Sequence, residues 1–349
     1  MTTRARGPLN ARRFALAVGG AALVLVAALI VCPLLGALGA DGKSHLGLLD
    51  PSDAFTPGTT AYQILWQARV PRALAGALAG AGLAAAGVAF QALLRNPLAE
   101  PYTIGVSSGA SFGAVLAIRL GLAASMGTSG VALFAFAFAL GSVAVIWRLA
   151  RVGDRLPAAT LLLAGLTLAL TSSAATMLIQ YTASFTEATR ILRWLMGGLE
   201  WIPNADLARS AIVVGIGLAA ILPNARALDA LAAGDDVAAS VGVDVRRVTA
   251  IVYVAGSLIV GAVISVAGPV GFVGLVVPHV LRSFVGADHR VLLPSAILAG
   301  GAFVVLCDTI GRLALSPAQI PVGVVTALCG GPFFLAILVG EKRRARLWG

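Results

Sequence analysis

The chain is 349 residues long, 59% apolar and 11% charged, with a net charge of +10. A soluble domain is nearer half apolar and a quarter charged, so this little polar surface cannot cover a water-soluble core. A mean hydropathy of +0.94 excludes a disordered chain, and the long unbroken apolar runs exclude a spanning β-barrel, whose strands alternate apolar and polar residues. The class is all-α, a polytopic membrane protein. At roughly 20 apolar residues per spanning helix plus short loops, the length accommodates about ten helices.

In chain order, Arg4, Arg6, Arg12 and Arg13 precede an apolar run from Phe14 to Gly39. That run exceeds the core of a signal peptide, about 7–15 residues, and reads as a retained first helix. A polar stretch follows from Ala40 to Gln67. Further spans are expected at Arg72–Leu94, Ile104–Leu122, Val131–Ala150, Thr160–Tyr181, Leu207–Leu222, Val248–Ala267, Gly271–Val285, Leu293–Ile310 and Val322–Val339. The organisation is therefore a basic N-terminus (1–13), a membrane domain (14–340) containing one long inner loop (224–247), and a basic tail (341–349). An even number of crossings puts both termini on one side. Of the 25 Lys and Arg residues, 17 fall on that side and 8 on the other, which predicts cytoplasmic termini.

Gly76, Gly80 and Ala84 repeat four apart, as do Gly82 and Ala86, a small-xxx-small pattern that lets helix backbones approach closely. Gly268-Pro269, Gly271, Gly274, Pro278 and Gly331-Pro332 interrupt later spans. Such breaks either line a transport path or serve packing alone. Chemistry inside the membrane is sparse. Glu100, Arg282 and Asp308 fall near helix ends, where snorkelling or loop placement accounts for them, and His279 follows Pro278 in an apolar run. Cys32, Cys307 and Cys329 stand singly, without metal or redox spacing. Gly42-Lys43-Ser44 imitates the end of a phosphate-binding loop, but Ala37 stands where that loop needs glycine. No catalytic constellation, metal set or cofactor site is read from this chain, and its basic charge is topogenic rather than directed at nucleic acid.

The stretch from Arg69 to Ala110, RVPRALAGALAGAGLAAAGVAFQALLRNPLAEPYTIGVSSGA, resembles the FecCD-type permeases of binding-protein-dependent ABC importers. So do ILRWLMGGLE (191–200), AAGDDVAASVGV (232–243), AGPVGFVGLVVPHVLR (267–282), GADHRVLLP (286–294) and PVGVVTALCGGPFF (321–334). The resemblance runs in order and spacing from Arg69 to Val339. It implies a type II ABC importer permease of the bacterial inner membrane, with ten helices and a homodimer around a central path. Two separate ABC ATPases use ATP and Mg, and a periplasmic binding protein delivers the cargo. The implied cargo is a metal chelate, iron-siderophore or haem, with cobalamin as the alternative. A reading of a different class is an ion-coupled secondary transporter, which would need membrane-embedded acids.

The same resemblance implies roles for residues. Arg69, Arg72 and Arg312 match positions that grip acidic residues of the binding protein, a task suited to the guanidinium fork; lipid-headgroup anchoring is the alternative. Leu231, Gly234, Asp235, Asp236, Val237, Val241 and Gly242 fall in the loop that couples to the ATPase. Within it, Leu228, Leu231, Val237, Val241 and Val243 are expected to form one apolar face. Asn96, Leu98, Ala159 and Thr160 match the cytoplasmic gate. Thr167, Thr171, Ser172, Met177 and Gln180 are candidates for the lining of the translocation path.

Overall fold

The computed structural model describes residues 11–38, 45–122, 126–153, 156–200, 202–316 and 318–346. Arg4, Arg6, Lys43 and the last three residues of the basic tail lie outside them. Helix α1 (Ala11–Leu34) leads into an antiparallel hairpin of β1 (Leu35–Leu38) and β2 (His45–Leu48). Then come α2 (Thr60–Leu93), α3 (Val106–Arg119), α4 (Gly127–Ala150) and α5 (Ala158–Tyr181). The amphipathic α6 (Phe185–Leu195) precedes α7 (Asn204–Ile221), followed by the short α8 (Ala225–Ala233) and α9 (Asp235–Ser240). The chain ends with α10 (Val245–Ala267), α11 (Val273–Val285), α12 (His289–Ala314) and α13 (Val322–Arg346). Among the described residues, seven helices are long and apolar enough to cross a membrane, and α3, α11 and the first part of α13 are shorter apolar helices.

The hairpin takes the end of the apolar run expected as helix, a departure from the all-α reading, and two further elements differ. The second span begins at Thr60 instead of Arg72, capped by the Thr59 hydroxyl, which accepts the Tyr62 N–H at 3.1 Å. Pro71 would clash with the turn behind it. The π-helical turn Ile64–Arg69 just before it widens the backbone there, so the helix continues through the proline. The second of these is α6, a separate helix where a loop was expected. Its start is a capping box: the Glu187 N–H donates to the Ser184 hydroxyl, and the Ser184 N–H donates to the Glu187 carboxylate at 2.8 Å. Ser184-x-x-Glu187 is a sequence signal for a helix start.

Helix α2 is the axis of the molecule, buried from Gly82 to Leu94. Its glycine pattern serves two faces. A Cβ on Gly80 would lie 2.0 Å from the Gly300 carbonyl oxygen of α12, and one on Gly87 would lie 2.1 Å from the Gly274 carbonyl oxygen of α11. On the other face, a Cβ on Gly82 would meet Ile259 of α10 at 2.9 Å. Backbones approach here because no side chain intervenes, and dispersion across the contact replaces the driving force that lipid cannot supply. By contrast, α1 and α5 expose most of their apolar residues.

Polar groups collect at two opposite ends. One holds the hairpin, the start of α2, α6 and the end of α12. The other holds the end of α2, α8, α9 and the start of α12, where the Arg13 guanidinium also donates to the Val285 carbonyl at 2.5 Å.

Candidate functional site

At the hairpin end an open basin of about 1180 Å³ gathers residues from seven helices. Five arginines line it, Arg69, Arg72, Arg190, Arg193 and Arg312, against two acids, Glu200 and Asp206. The fold therefore brings the three sequence-predicted docking arginines to one surface. Their bonding, however, is largely internal. Arg72 holds Asp308 through Nε and Nη2 at 2.8–3.0 Å and donates to Gln319 at 2.6 Å. Arg312 donates to the Cys32 and Leu35 carbonyls, and its Nε lies 3.4 Å from Asp308. Arg69 donates to the Pro33 carbonyl at 3.1 Å. Gly36 makes room for it, since a Cβ there would sit 1.8 Å from the Arg69 Nη2.

Asp308 thus corrects the expectation of snorkelling. It lies buried on α12, between two guanidinium groups that compensate its desolvation. Arg190 and Arg193 are different again. Both are exposed on α6 and make no hydrogen bond or ion pair among the described residues. They were not among the sequence candidates, although the capping box places both on one helix at i,i+3 spacing.

At the opposite end lies the segment 224–247, expected from sequence to couple to an ATPase. Leu228 and Leu231 of α8 are buried, whereas Val237 and Val241 on and just after α9 are exposed. The expected single apolar face is thus divided in two. Gly234, at φ 131°, breaks the helix between them and redirects α9, a conformation open to glycine. Asp235 and Asp236 begin α9, where negative charge suits the helix dipole. Gly242 closes the segment at φ 82°. Asp229 fixes α8 to α12, accepting the His289 backbone N–H at 2.9 Å and contacting its Nδ1 at 2.5 Å. Asp235 meets Arg95, at the end of α2, at 3.3 Å.

Asn96 and Leu98 follow α2 in a tight turn in which the Asn96 side chain accepts the Leu98 N–H at 2.9 Å. Ala159 is exposed, and the Thr160 hydroxyl donates to the carbonyls of Ala150 and Pro157, fastening the start of α5. Along α5, Thr167, Thr171 and Met177 share the exposed face with Leu163, Leu166 and Leu170, while Gln180 is partly buried. Each threonine hydroxyl donates to the carbonyl four residues back, at 2.9 Å, so the face is wide and chemically quiet. Ser172 departs from this set, because it is buried on the opposite face with Thr176 and Gly165.

Between α10 and α11 the chain runs non-helically from Gly268 to Phe272 within the bundle. Its freed donors are met by the segment after the Asn96–Leu98 turn. The Glu100 carboxylate accepts the Phe272 N–H, and the Tyr102 hydroxyl accepts the Val270 N–H. Glu100 therefore has the loop placement expected as one alternative, and from that loop it caps a broken helix. A break at this depth persists only where protein satisfies it. No group of three His, Cys, Asp or Glu side chains is placed to hold a metal among the described residues.

Residues 23–340 match the FecCD transport family. The chain is 41% identical over 286 residues to the cobalamin import system permease protein BtuC of Halobacterium salinarum, covering 82% of this chain and 76% of that one. It is 37% identical over 297 residues to the vitamin B12 import system permease protein BtuC of Escherichia coli, covering 84% and 89%. Among solved structures, a protein described as a metal-chelate type ABC transporter in an inward-facing conformation aligns with a TM-score of 0.79 and 29% identity. That alignment covers 93% of this chain and 99% of the other.

Proposed function

The chain belongs to the FecCD transport family as an ABC importer permease, and from that premise we propose that it carries cobalamin across the bacterial inner membrane. It is a transport subunit and not itself an enzyme. The observation that carries the cargo reading is its identity to two cobalamin permeases over more than four-fifths of the chain. This reverses the order drawn from sequence, where iron-siderophore or haem came first. A corrin-bound cobalt is still a metal chelate, in keeping with the structural neighbour.

In this reading two copies face each other across α5 and α13, whose exposed faces line the path, and both termini are cytoplasmic. The basin is the periplasmic mouth. Its arginines, Arg69, Arg72 and Arg312 at the floor, receive acidic side chains of the binding protein. A partner carboxylate there shares Arg72 with Asp308 instead of meeting a bare charge. At the other end, Leu231, Gly234, Asp235, Asp236, Val237, Val241 and Gly242 present α9 to the ATPase, which binds ATP and Mg. Val237 and Val241 suit that role because they are apolar and exposed. Asn96 and Leu98, with Ala159 and Thr160, close the inner mouth. The weakly polar lining of α5 releases cargo readily, so direction comes from ATP-driven population of two states.

The test is uptake into proteoliposomes holding the permease, its ATPase and its binding protein. ATP-dependent accumulation of cyanocobalamin is expected. Accumulation of ferric siderophore or haem without cyanocobalamin refutes the cargo, and uptake driven by an ion gradient without the ATPase refutes the importer reading.

A further inference from the structure

Only two non-glycine residues adopt a positive φ among the described residues, Arg95 at 51° and Phe272 at 66°. They lie 177 positions apart in sequence, yet one short segment joins them. Helix α2 closes with the Arg95 N–H on the Ala92 carbonyl and the Asn96 N–H on the Gln91 carbonyl. That is a Schellman turn with Arg95 at the left-handed position, where glycine is the unstrained residue. The arginine is thus held in an unfavourable backbone state, and its side chain reaches across to α9. Its Nη2 lies 3.3 Å from Asp235, and its Nη1 is 4.0 Å from where a Cβ on Gly234 would stand. The segment then turns through Asn96 and Leu98, held by the Asn96 side chain, to Glu100. Glu100 caps Phe272, the second strained residue. The Phe272 side chain in turn packs on α13, so closely that a Cβ on Gly330 would fall 2.4 Å from it.

We propose that Arg95–Glu100 is a connecting link, with Arg95 as a positioning residue that passes displacement of α9 to the gate turn and, through Glu100 and Phe272, to α13. The inference rests on the importer reading above. The two ends of the coupling segment differ in the way such a link requires. Helix α8 is anchored by buried Leu228 and Leu231 and by the Asp229–His289 contact. Helix α9, beyond the Gly234 break, buries only Ala238 in the core, and its first residue meets the end of α2 through the exposed Arg95–Asp235 pair. Arg95 is thus the side-chain contact through which motion of α9 reaches the end of α2. Backbone strain persists where surrounding contacts over-determine it, and it gathers at switching regions. Here both strained residues sit at the ends of one linkage.

The discriminating variant is Arg95→Gly, which suits the left-handed backbone better than arginine does but removes the handle. The readout is a bimane on Leu335→Cys, an exposed position of α13, in a Cys329→Ala background of the reconstituted permease–ATPase complex. ATP with vanadate should shift its emission in the parent. In Arg95→Gly the shift should fall at least threefold while the midpoint of thermal unfolding stays equal or rises. The charge exchange Arg95→Asp with Asp235→Arg should restore most of it. A full shift in Arg95→Gly overturns the proposal. A lowered unfolding midpoint with a proportionate loss of signal also overturns it, because Arg95 would then be structural only. If the parent shows no ATP response, the importer reading fails first and the link fails with it.

Discussion

Asp308 shows how much a single residue depends on its neighbours. A lone carboxylate four residues before Arg312 reads as a helix-end charge, and only α2, packed alongside, supplies Arg72. With side-chain exposures of 10% and 5%, the Arg72–Asp308 pair is desolvated, and Arg312 stands 3.4 Å from the same carboxylate, so removing Asp308 strands two arginines at once. Asp308→Ala should lower stability by about 3–5 kcal/mol, read as a fall in thermal unfolding midpoint in detergent. Arg72→Met and Arg312→Met combined with Asp308→Leu should recover most of that loss, since apolar replacement of all three leaves no orphaned charge. The pair was invisible in sequence because its members stand 236 residues apart.

Elements were legible where a local signal exists. The small-residue face of α2 was read correctly from four-residue spacing, and its consequence follows directly. Gly80→Ala must push α2 and α12 apart, since the new methyl would lie 2.0 Å from a backbone oxygen. A loss of about 1–3 kcal/mol, the usual range for overpacking, is expected in the same unfolding assay. Helix α6 carried its capping box openly, and Ser184→Ala should cost it about 1 kcal/mol. The Ser184 backbone and side-chain hydrogen bonds, with Arg119 beside them, hold the Glu187 carboxyl below its usual range. A lowered folded-state pKa gives a contribution present above the unfolded carboxylate range and lost as pH falls through the folded value. Amide exchange across Glu187–Ile191 should therefore accelerate in acid below that range, and should be insensitive to pH near neutrality once the intrinsic rate is removed. The division of the inner-loop segment 224–247 was less legible. Gly234 is visible in sequence, but the direction in which it turns α9 depends on Leu228 and Leu231 finding α2 and α12.

At the scale of the whole molecule, two helices leave apolar faces open for different reasons. Beyond Arg13, helix α1 exposes no polar side chain, its open face including Phe14, Leu16, Leu23, Val26 and Ile30, as a lipid-facing helix should. Helix α5 exposes Thr167 and Thr171 among its leucines, together with Met177. If α5 lines a water-filled path between two copies, Met177→Cys should react with a membrane-impermeant maleimide at least tenfold faster than Leu23→Cys. Equal, slow labelling would place α5 in lipid.

Composition and hydropathy settled the mostly helical membrane class, because burial in lipid demands long apolar runs and internally bonded backbone. Ordered motifs settled the family, and glycine spacing settled how closely α2 is packed. None of these could decide which charges are already paired. That required the fold, which joins Arg72 to Asp308, Arg95 to Asp235 and Glu100 to Phe272 across long stretches of chain. A charge buried in a bundle is stable only beside its partner, and which residues become partners is set by helix packing rather than by their separation in sequence.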